Sequence, residues 1–278
     1  MPTVEKVRGV RVAAALALAG MLVSASGCRG AKGDPSPWRT LEPGLEMAVW
    51  SSRSGQPDAA GDLRILRVDP QRWRLRVIST ETAGSREGLS LEQWCGEFGL
   101  VAAINAGMYQ EDGLTHVGYC QVDGCVLNPA VNHYRSALAL DPLRPQDPPL
   151  RIFDLDETAL DSVAATYRTV VQNLRLIKRS GEARWRAGTE TWTEAALGED
   201  AQGRALLMHC SRPLSMHDFN TLILGLPLDV VCAQHLEGNL PAQLWVDHSR
   251  LGPGGPTWDP ARILPVVLGV SPRDSLSR

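Results

Sequence analysis

Two glutamates stand where their carboxylates could do acid or base chemistry. Glu237 ends the apolar run from Asp229 to Leu236 and is followed by Gly238, so its carboxylate is aimed out of a strand end. Glu194 enters the apolar run Ala195-Ala196-Leu197, either as the partner of Glu237 or as a charge on an exposed strand edge. A pair of carboxyl groups flanking a bond is what glycoside hydrolysis uses, one to move a proton and the other as base or nucleophile. Arg212, His217 and the start of a helix near Met216 form a candidate anion site, because a first helical turn offers unpaired N–H groups and a partial positive charge. His217 is also a candidate for proton transfer. Asp218 either belongs to that group or only closes a capping box with Ser215. Asn105 ends another apolar run, and Ala106 and Gly107 after it are small enough for a ligand to come close. His116 lies in the alternating stretch beyond.

A second set of acids competes for attention. Phe153-Asp154-Leu155-Asp156-Glu157-Thr158 resembles the Asp-x-Asp-x-Thr signature of haloacid-dehalogenase-type phosphatases, in which the first Asp is the nucleophile and the second the general acid, with magnesium. That motif follows a hydrophobic parallel strand, whereas Pro148-Pro149-Leu150-Arg151 precedes it here, and no acidic pair downstream completes a metal site. The alternative is a solvated acidic loop that starts a helix.

The elements that must position these residues read as follows. Ser90 and Gln93 form a capping box for a short helix that Gly99 closes, and Leu100 to Ile104 is a strand buried on both faces. Asp123-Gly124 suits a hairpin turn. Gly44 to Trp50, Leu63 to Asp69 and Leu75 to Ser79 look like an N-terminal antiparallel sheet. Ala137 to Leu140 is a short strand, Asp141 to Pro149 a Pro-rich surface loop, and Tyr167 to Ile177 a strand carrying Gln172 and Arg175. The run Ala205 to Cys210, a helix from Pro213 to Leu226 and Asp229 to Leu236 together predict a parallel crossover, with Cys210 and Cys232 on neighbouring strands. Ile263 to Val270 is a last strand and residues 271–278 a tail. The expected fold is therefore a mixed α/β single domain, with a mixed, partly parallel central sheet flanked by helices.

The N-terminus reads as a targeting segment. Lys6, Arg8 and Arg11 precede an apolar stretch from Val12 to Val23, ending in Ala25-Ser26-Gly27-Cys28, an order that resembles a bacterial lipobox. Cys28 is then the lipidated first residue of the mature chain, residues 28–40 a tether, and residues 41–270 the domain. This places the chain in the envelope of a Gram-negative bacterium, held to a membrane through its lipid. The 278-residue chain carries a net charge of −3, and the leader holds three bases and one acid, so the net charge without it is about −5. That balance excludes a nucleic-acid partner. Five cysteines remain after Cys28, and none has the spacing of a zinc site. No metal or other cofactor is expected.

Asn105-Ala-Gly-Met-Tyr109, Asp123-Gly124, Gln172-Asn173-Leu174-Arg175, Ala196-Leu197-Gly198 before Asp200-Ala-Gln-Gly203, and Leu236-Glu237-Gly238 stand in an order that resembles the phosphodiester glycosidase family, over roughly residues 60–250. The resemblance implies hydrolysis of sugar-1-phosphodiesters by a mixed α/β domain. It implies that Asn105 and Gly107 form the family's Asn-Gly corner, that Gln172 is a pocket residue, and that Glu237-Gly238 starts the Asp-Gly-Gly-x-Ser turn. With it, Asn105 and His116 are expected to bind the sugar, and Arg175, Arg212 and the helix start the phosphate. Four positions depart from the pattern: Glu237 replaces Asp, Asn239 replaces the second Gly, Pro241 stands near the Ser, and Glu194 falls where an Arg often precedes the Ala-x-Gly strand. These leave open a different substrate, or a domain that binds glycans without cleaving them.

Overall fold

Residues 102–104, 195–197 and 205–208 are apolar at successive positions and fully buried, so each of these strands is covered on both faces. The computed structural model describes residues 36–84, 87–239, 241–251 and 263–273. In chain order the elements are β1 (Arg39–Glu42), β2 (Leu45–Trp50), β3 (Leu63–Val68), β4 (Trp73–Ser79), α1 (Thr80–Ala83), α2 (Leu91–Phe98), β5 (Ala102–Asn105), β6 (Cys120–Val122), β7 (Cys125–Asn128), β8 (Ser136–Pro142), β9 (Leu150–Asp154), α3 (Leu160–Ala164), β10 (Tyr167–Lys178), β11 (Glu182–Ala183), β12 (Trp192–Asp200), β13 (Ala205–Leu214), α4 (Met216–Gly225), β14 (Val230–Gly238), β15 (Leu244–Val246), α5 (His248–Leu251) and β16 (Val266–Pro272).

Twelve strands form one sheet, with the order β1-β2-β3-β13-β12-β14-β10-β6-β7, while β11 and β8 also pair with β10, and β9 with β8. The other four form a second sheet, β15-β5-β16-β4. On the inner face of the large sheet, Leu66, Leu197, Leu207 and Leu236 share one core with Leu75, Ile104, Leu244 and Leu268 of the small sheet. The opposite face of the large sheet carries Ile65, Ala196 and Met208, against Phe219 and Ile223 of α4. The outer face of the small sheet packs Ile78, Ala103 and Val267 against Leu91 and Trp94 of α2.

This overturns the expected α/β fold. The structure is mostly β, its named strand pairs are all antiparallel, and few helices are present among the described residues. β13 and β14 are not neighbours: each pairs with β12, which lies between them, so Cys210 and Cys232 are separated by a strand. The error has a physical source. A strand that is apolar on both faces usually belongs to a parallel sheet under helices; here the second cover is another sheet, which leaves the same imprint.

Local chemistry was easier to read. Ser90 and Gln93 make both arms of the capping box, Gly99 closes α2 at φ +62°, and Trp94 Nε1 donates to Leu264 O at 2.9 Å. Asp123 and Gly124 take φ +50° and +85° in the two-residue turn between β6 and β7. At α4 only one arm of the expected box is present, Ser215 Oγ accepting from Asp218 N–H at 3.1 Å, and Pro213 remains in β13 rather than opening the helix. β9 is a strand after all, antiparallel to β8, and β16 runs through Pro272 where a tail was expected. The lipobox and Cys28 lie outside the described residues.

Phe219 is 1% exposed at the centre of the α4 contact. Phe219→Ala should cost about 3–5 kcal/mol, seen as a lower guanidinium midpoint at unchanged slope.

Candidate active site

β5 lies between β15 and β16, so it delivers Asn105, fully buried, to the end of the small sheet. Asn105 Oδ1 accepts from the N–H of Gln243 at 3.3 Å, while its Nδ2 has no hydrogen-bond partner. Two residues on, a Cβ at Gly107 would lie 2.2 Å from His116 Nε2 and 2.5 Å from Asn173 Oδ1, so only glycine leaves room for those two side chains. Asn173 is held from its other end, where Nδ2 donates to Ala106 O at 3.0 Å. His116 Nδ1 lies 3.1 Å from both the N–H and the carbonyl oxygen of Gly118, which fixes the ring with Nε2 facing Asn173. Burial lowers the pKa of His116 and keeps the ring neutral. His116 Nε2 and Asn173 Oδ1 thus meet at Gly107, a contact that partly opposes the effect of burial on the ring.

The carboxylates reach the same region through a bulge. Across β12 and β14, Ala196 pairs with His235 but Ala195 with Glu237, so Leu236 is the extra residue. Ala195 faces the inter-sheet core and Ala196 faces α4. The bulge therefore turns Glu237 toward the inner side, while His235 keeps the outer side with Glu194. Glu194 is buried, 2.5 Å from His235 Nδ1 through Oε1, and its Oε2 accepts from Trp192 Nε1 at 3.1 Å. Glu237 is half-buried and accepts from the N–H groups of Gly238, at 2.9 Å, and of Tyr109. The Tyr109 contact joins it to the Gly107 corner, since Tyr109 bridges to His116 and anchors its hydroxyl on Val266 O at 2.8 Å.

The electrostatics of these acids differ from those elsewhere in the chain. Asp154, Glu199 and Asp200 are buried, and each meets a guanidinium, from Arg175, from Arg151 and Arg179, and from Arg204. Among the described residues Glu194 and Glu237 meet none; the cation within reach of both is His235. Burial raises the pKa of Glu237, partly offset by its N–H donors and His235. Burial alone would lower the pKa of His235, but the charges of Glu194 and Glu237 and the short bond to Glu194 outweigh it and raise it. Burial also pulls Glu194 upward against that same contact; because the Trp192 donor and the 2.5 Å bond both favour a carboxylate, we describe the pair as His235 imidazolium with Glu194 carboxylate.

The remaining expected residues fall elsewhere. Gln172 spends its side chain on backbone groups: Oε1 accepts from Tyr119 and Asn132, and Nε2 donates to Asn132 and Tyr134. It shapes the loop before β8. Arg175 is locked between Asp154 and Asp156, each at 2.7 Å, which ties the Asp-x-Asp motif into a structural ion-pair cluster that Lys178 completes. Arg212 Nη1 donates to Ser52 Oγ at 3.2 Å and sits near Asp62 and Asp218, while His217 Nδ1 lies 3.2 Å from the exposed carboxylate of Asp218. This group gathers at the start of α4, and no hydrogen bond or ion pair among the described residues joins it to Glu237. Gly238 lets the Trp192 ring approach, since a Cβ there would lie 2.8 Å from it. Sequence reasoning missed His235, Trp192 and Tyr109. The signal for Trp192 was its offset of two from Glu194, the spacing at which strand side chains share a face; His235 has the same offset from Glu237, but the bulge at Leu236 puts those two on opposite faces.

The family model for phosphodiester glycosidases matches residues 98–271. The chain belongs to the phosphodiester glycosidase family. The match takes in β5, Gly107, His116, Asn173 and both glutamates, and extends beyond the sequence resemblance to β16. Among solved structures, the chain is similar to the catalytic domain of zebrafish N-acetylglucosamine-1-phosphodiester alpha-N-acetylglucosaminidase, auto-inhibited by its pro-peptide, with a TM-score of 0.57 and 14% identity over 82% of this chain and 88% of that one. It is also similar to a hypothetical protein from Synechocystis, with a TM-score of 0.58 and 12% identity over 82% of this chain and 62% of that one. At these identities the likeness is one of fold. No curated protein matches.

Gly107→Ala should destabilise the fold by about 1–3 kcal/mol through overpacking against His116 and Asn173. Paired with His116→Ala, it should show a coupling of at least about 1 kcal/mol in a denaturation double-mutant cycle.

Proposed function

We propose that this phosphodiester glycosidase domain hydrolyses the bond between a sugar's anomeric carbon and a phosphodiester oxygen in envelope glycans, with Glu237 as the general base. The observation that carries this reading is that Glu194 and Glu237 share a histidine and lack a guanidinium, whereas the structural buried acids have one. A carboxyl group with a raised pKa and one open side is suited to moving a proton near neutral pH.

In the proposed step Glu237 takes a proton from water as the water oxygen bonds to the anomeric carbon. The bond from that carbon to the phosphate oxygen breaks, and its electron pair leaves with the phosphate monoester. A phosphate is a good leaving group, so the site needs positive charge more than a strong acid, and the His235 imidazolium, held by Glu194, supplies it. Asn105 Nδ2, which has no hydrogen-bond partner, and the His116–Asn173 pair are the groups that would take sugar hydroxyls or an amide. Arg212 is proposed only as a more distant contact for the phosphate side.

Glu237→Gln should lower turnover of a soluble sugar-1-phosphodiester by roughly 10²- to 10⁴-fold with little change in KM. The sign of the pH dependence follows from the two shifts. Glu237 must be ionised, so its raised pKa moves the acid limb of kcat above the usual glutamate range; His235 must be protonated, so its raised pKa carries the alkaline limb above the usual histidine range. His235→Gln should leave an acid limb and remove the alkaline one. A wild-type domain that binds such compounds in calorimetry but releases no sugar would instead be a glycan-binding module.

Anchoring is part of the same proposal: Cys28 carries lipid and holds the domain at the envelope of a Gram-negative bacterium. Its support is the basic, apolar and small-residue order before Cys28. Cys28→Ala should abolish labelling with radioactive palmitate and leave unprocessed precursor on a gel, and labelling that persists would refute it.

A further inference from the structure

The Pro-rich loop between β8 and β9 plays no part in the catalytic reading, yet it forms one wall of the largest hollow described. Two hollows of about 200 and 570 Å³ share Arg74, Asp123 and Asp141 and so make one groove. One wall is β4, the edge strand of the small sheet, which contributes Arg74 and Arg76. The other is the large sheet with its loop, which contributes Arg168, Pro142, Pro145 and Pro148, while Arg273 follows β16. Four guanidinium groups from three separate regions thus converge in a chain whose net charge is −3.

Their charge is only partly spent. Arg74 reaches Asp141 at 3.6 Å, a weak contact, and Arg273 gives one N–H to Pro70 O at 2.9 Å. Arg76 lies 6.0 Å from the centre of the Phe98 ring, at the limit of a cation–π contact. Arg168 is exposed, and Asp147 on the rim is taken by Arg144 at 2.8 Å. Two acids, Asp123 and Asp141, therefore face four arginines. Charges on β4 alone could be the ordinary protection of a sheet edge, but Arg168 and Arg273 lie on neither face of that strand's own edge and still point the groove's charge the same way. Prolines fix the facing wall, so little side-chain or loop order would be lost on binding.

We propose that this groove is a second binding site, which holds a linear acidic polysaccharide through its regularly spaced phosphate or carboxylate groups. The proposal concerns binding alone and stands whether or not the domain is a hydrolase. An extended chain fits an open groove along an edge strand, and guanidinium groups pair with both anions in two-pronged fashion.

Calorimetric titration of the full chain with polygalacturonate and, separately, with a phosphate-linked teichoic acid tests this and distinguishes the two anions. The wild type should bind at least one, with an affinity that falls as salt rises. Arg168→Gln with Arg273→Gln should weaken binding roughly tenfold per guanidinium removed, and Arg168→Gln alone, at an exposed position, gives the same direction should the double variant melt early. Arg184→Gln, whose partner Glu182 lies on β11, should bind as the wild type does. Failure of both polymers to bind, equal binding by the Arg168 variant, or equal affinity for a single-stranded DNA oligonucleotide would overturn the proposal. Turnover of a soluble sugar phosphodiester, measured on the same samples, reports on Glu237 independently.

Discussion

A sheet that is dry on both faces gives its polar side chains one way out, the strand ends. In this chain the large sheet is covered by a second sheet on one side and by α4 on the other, and the small sheet is closed by α2. A charge buried between these layers must then be neutralised where it stands, as Glu199 is by Arg151 and Arg179. Asn105 at the end of β5, Asn173 where β10 passes from β8 to β14, and Glu194 and Glu237 at the ends of β12 and β14 are placed by this constraint. The site forms where two sheets run out of cover together.

Within that region the chain keeps two acids, Glu194 and Glu237, that meet no guanidinium among the described residues. A guanidinium beside Glu237 would have favoured its charged form at every working pH. An imidazole does something different, because its own charge depends on the acids it serves. His235 is drawn to its protonated form by Glu194, and Trp192 fixes the far oxygen of Glu194, so the pair is oriented before any ligand arrives. The bulge at Leu236 then matters chemically: without it Glu237 would follow the regular alternation back to the face of His235 and lose its contact with Tyr109.

What the sequence reveals and what it hides divide along range. The capping box of α2, the left-handed Gly99 and the Asp123-Gly124 turn depend on residues within a few positions of one another, and they are where the sequence places them. The order of strands is not local. Cys210 and Cys232 flank a helix, as in a parallel crossover, yet β12 comes between them, because pairing across the sheet is decided by partners far away in the chain. The same limit separates the site residues. Glu194, Glu237, Asn105 and Gly107 could be singled out as polar or small residues at the ends of apolar runs, whereas Gln172 and Arg175 also look functional until their partners are seen: backbone groups for one, Asp154 and Asp156 for the other. A polar residue in a buried strand announces that it has a partner, not which one.

The departures from the family pattern after Glu237 can be weighed in the same terms. Asn239 stands where the resemblance places a second glycine, and its φ of +56° is a left-handed conformation that asparagine adopts more readily than most residues. The turn is further secured by Thr193, whose Oγ1 donates to Asn239 O at 2.8 Å and whose carbonyl accepts from Asn239 N–H at 3.2 Å. Replacing glycine here therefore changes a side chain without changing the path of the backbone. Glu237 in place of aspartate is the more consequential departure, since it carries the carboxyl one methylene further from a backbone that the bulge and Thr193 hold in place. Its carboxylate accordingly reaches both the Gly238 and the Tyr109 N–H groups, and the acid is set by two backbone donors rather than by a charged partner. Such an arrangement leaves the protonation of Glu237 governed by burial and by His235, which is the property a proton-transferring group needs.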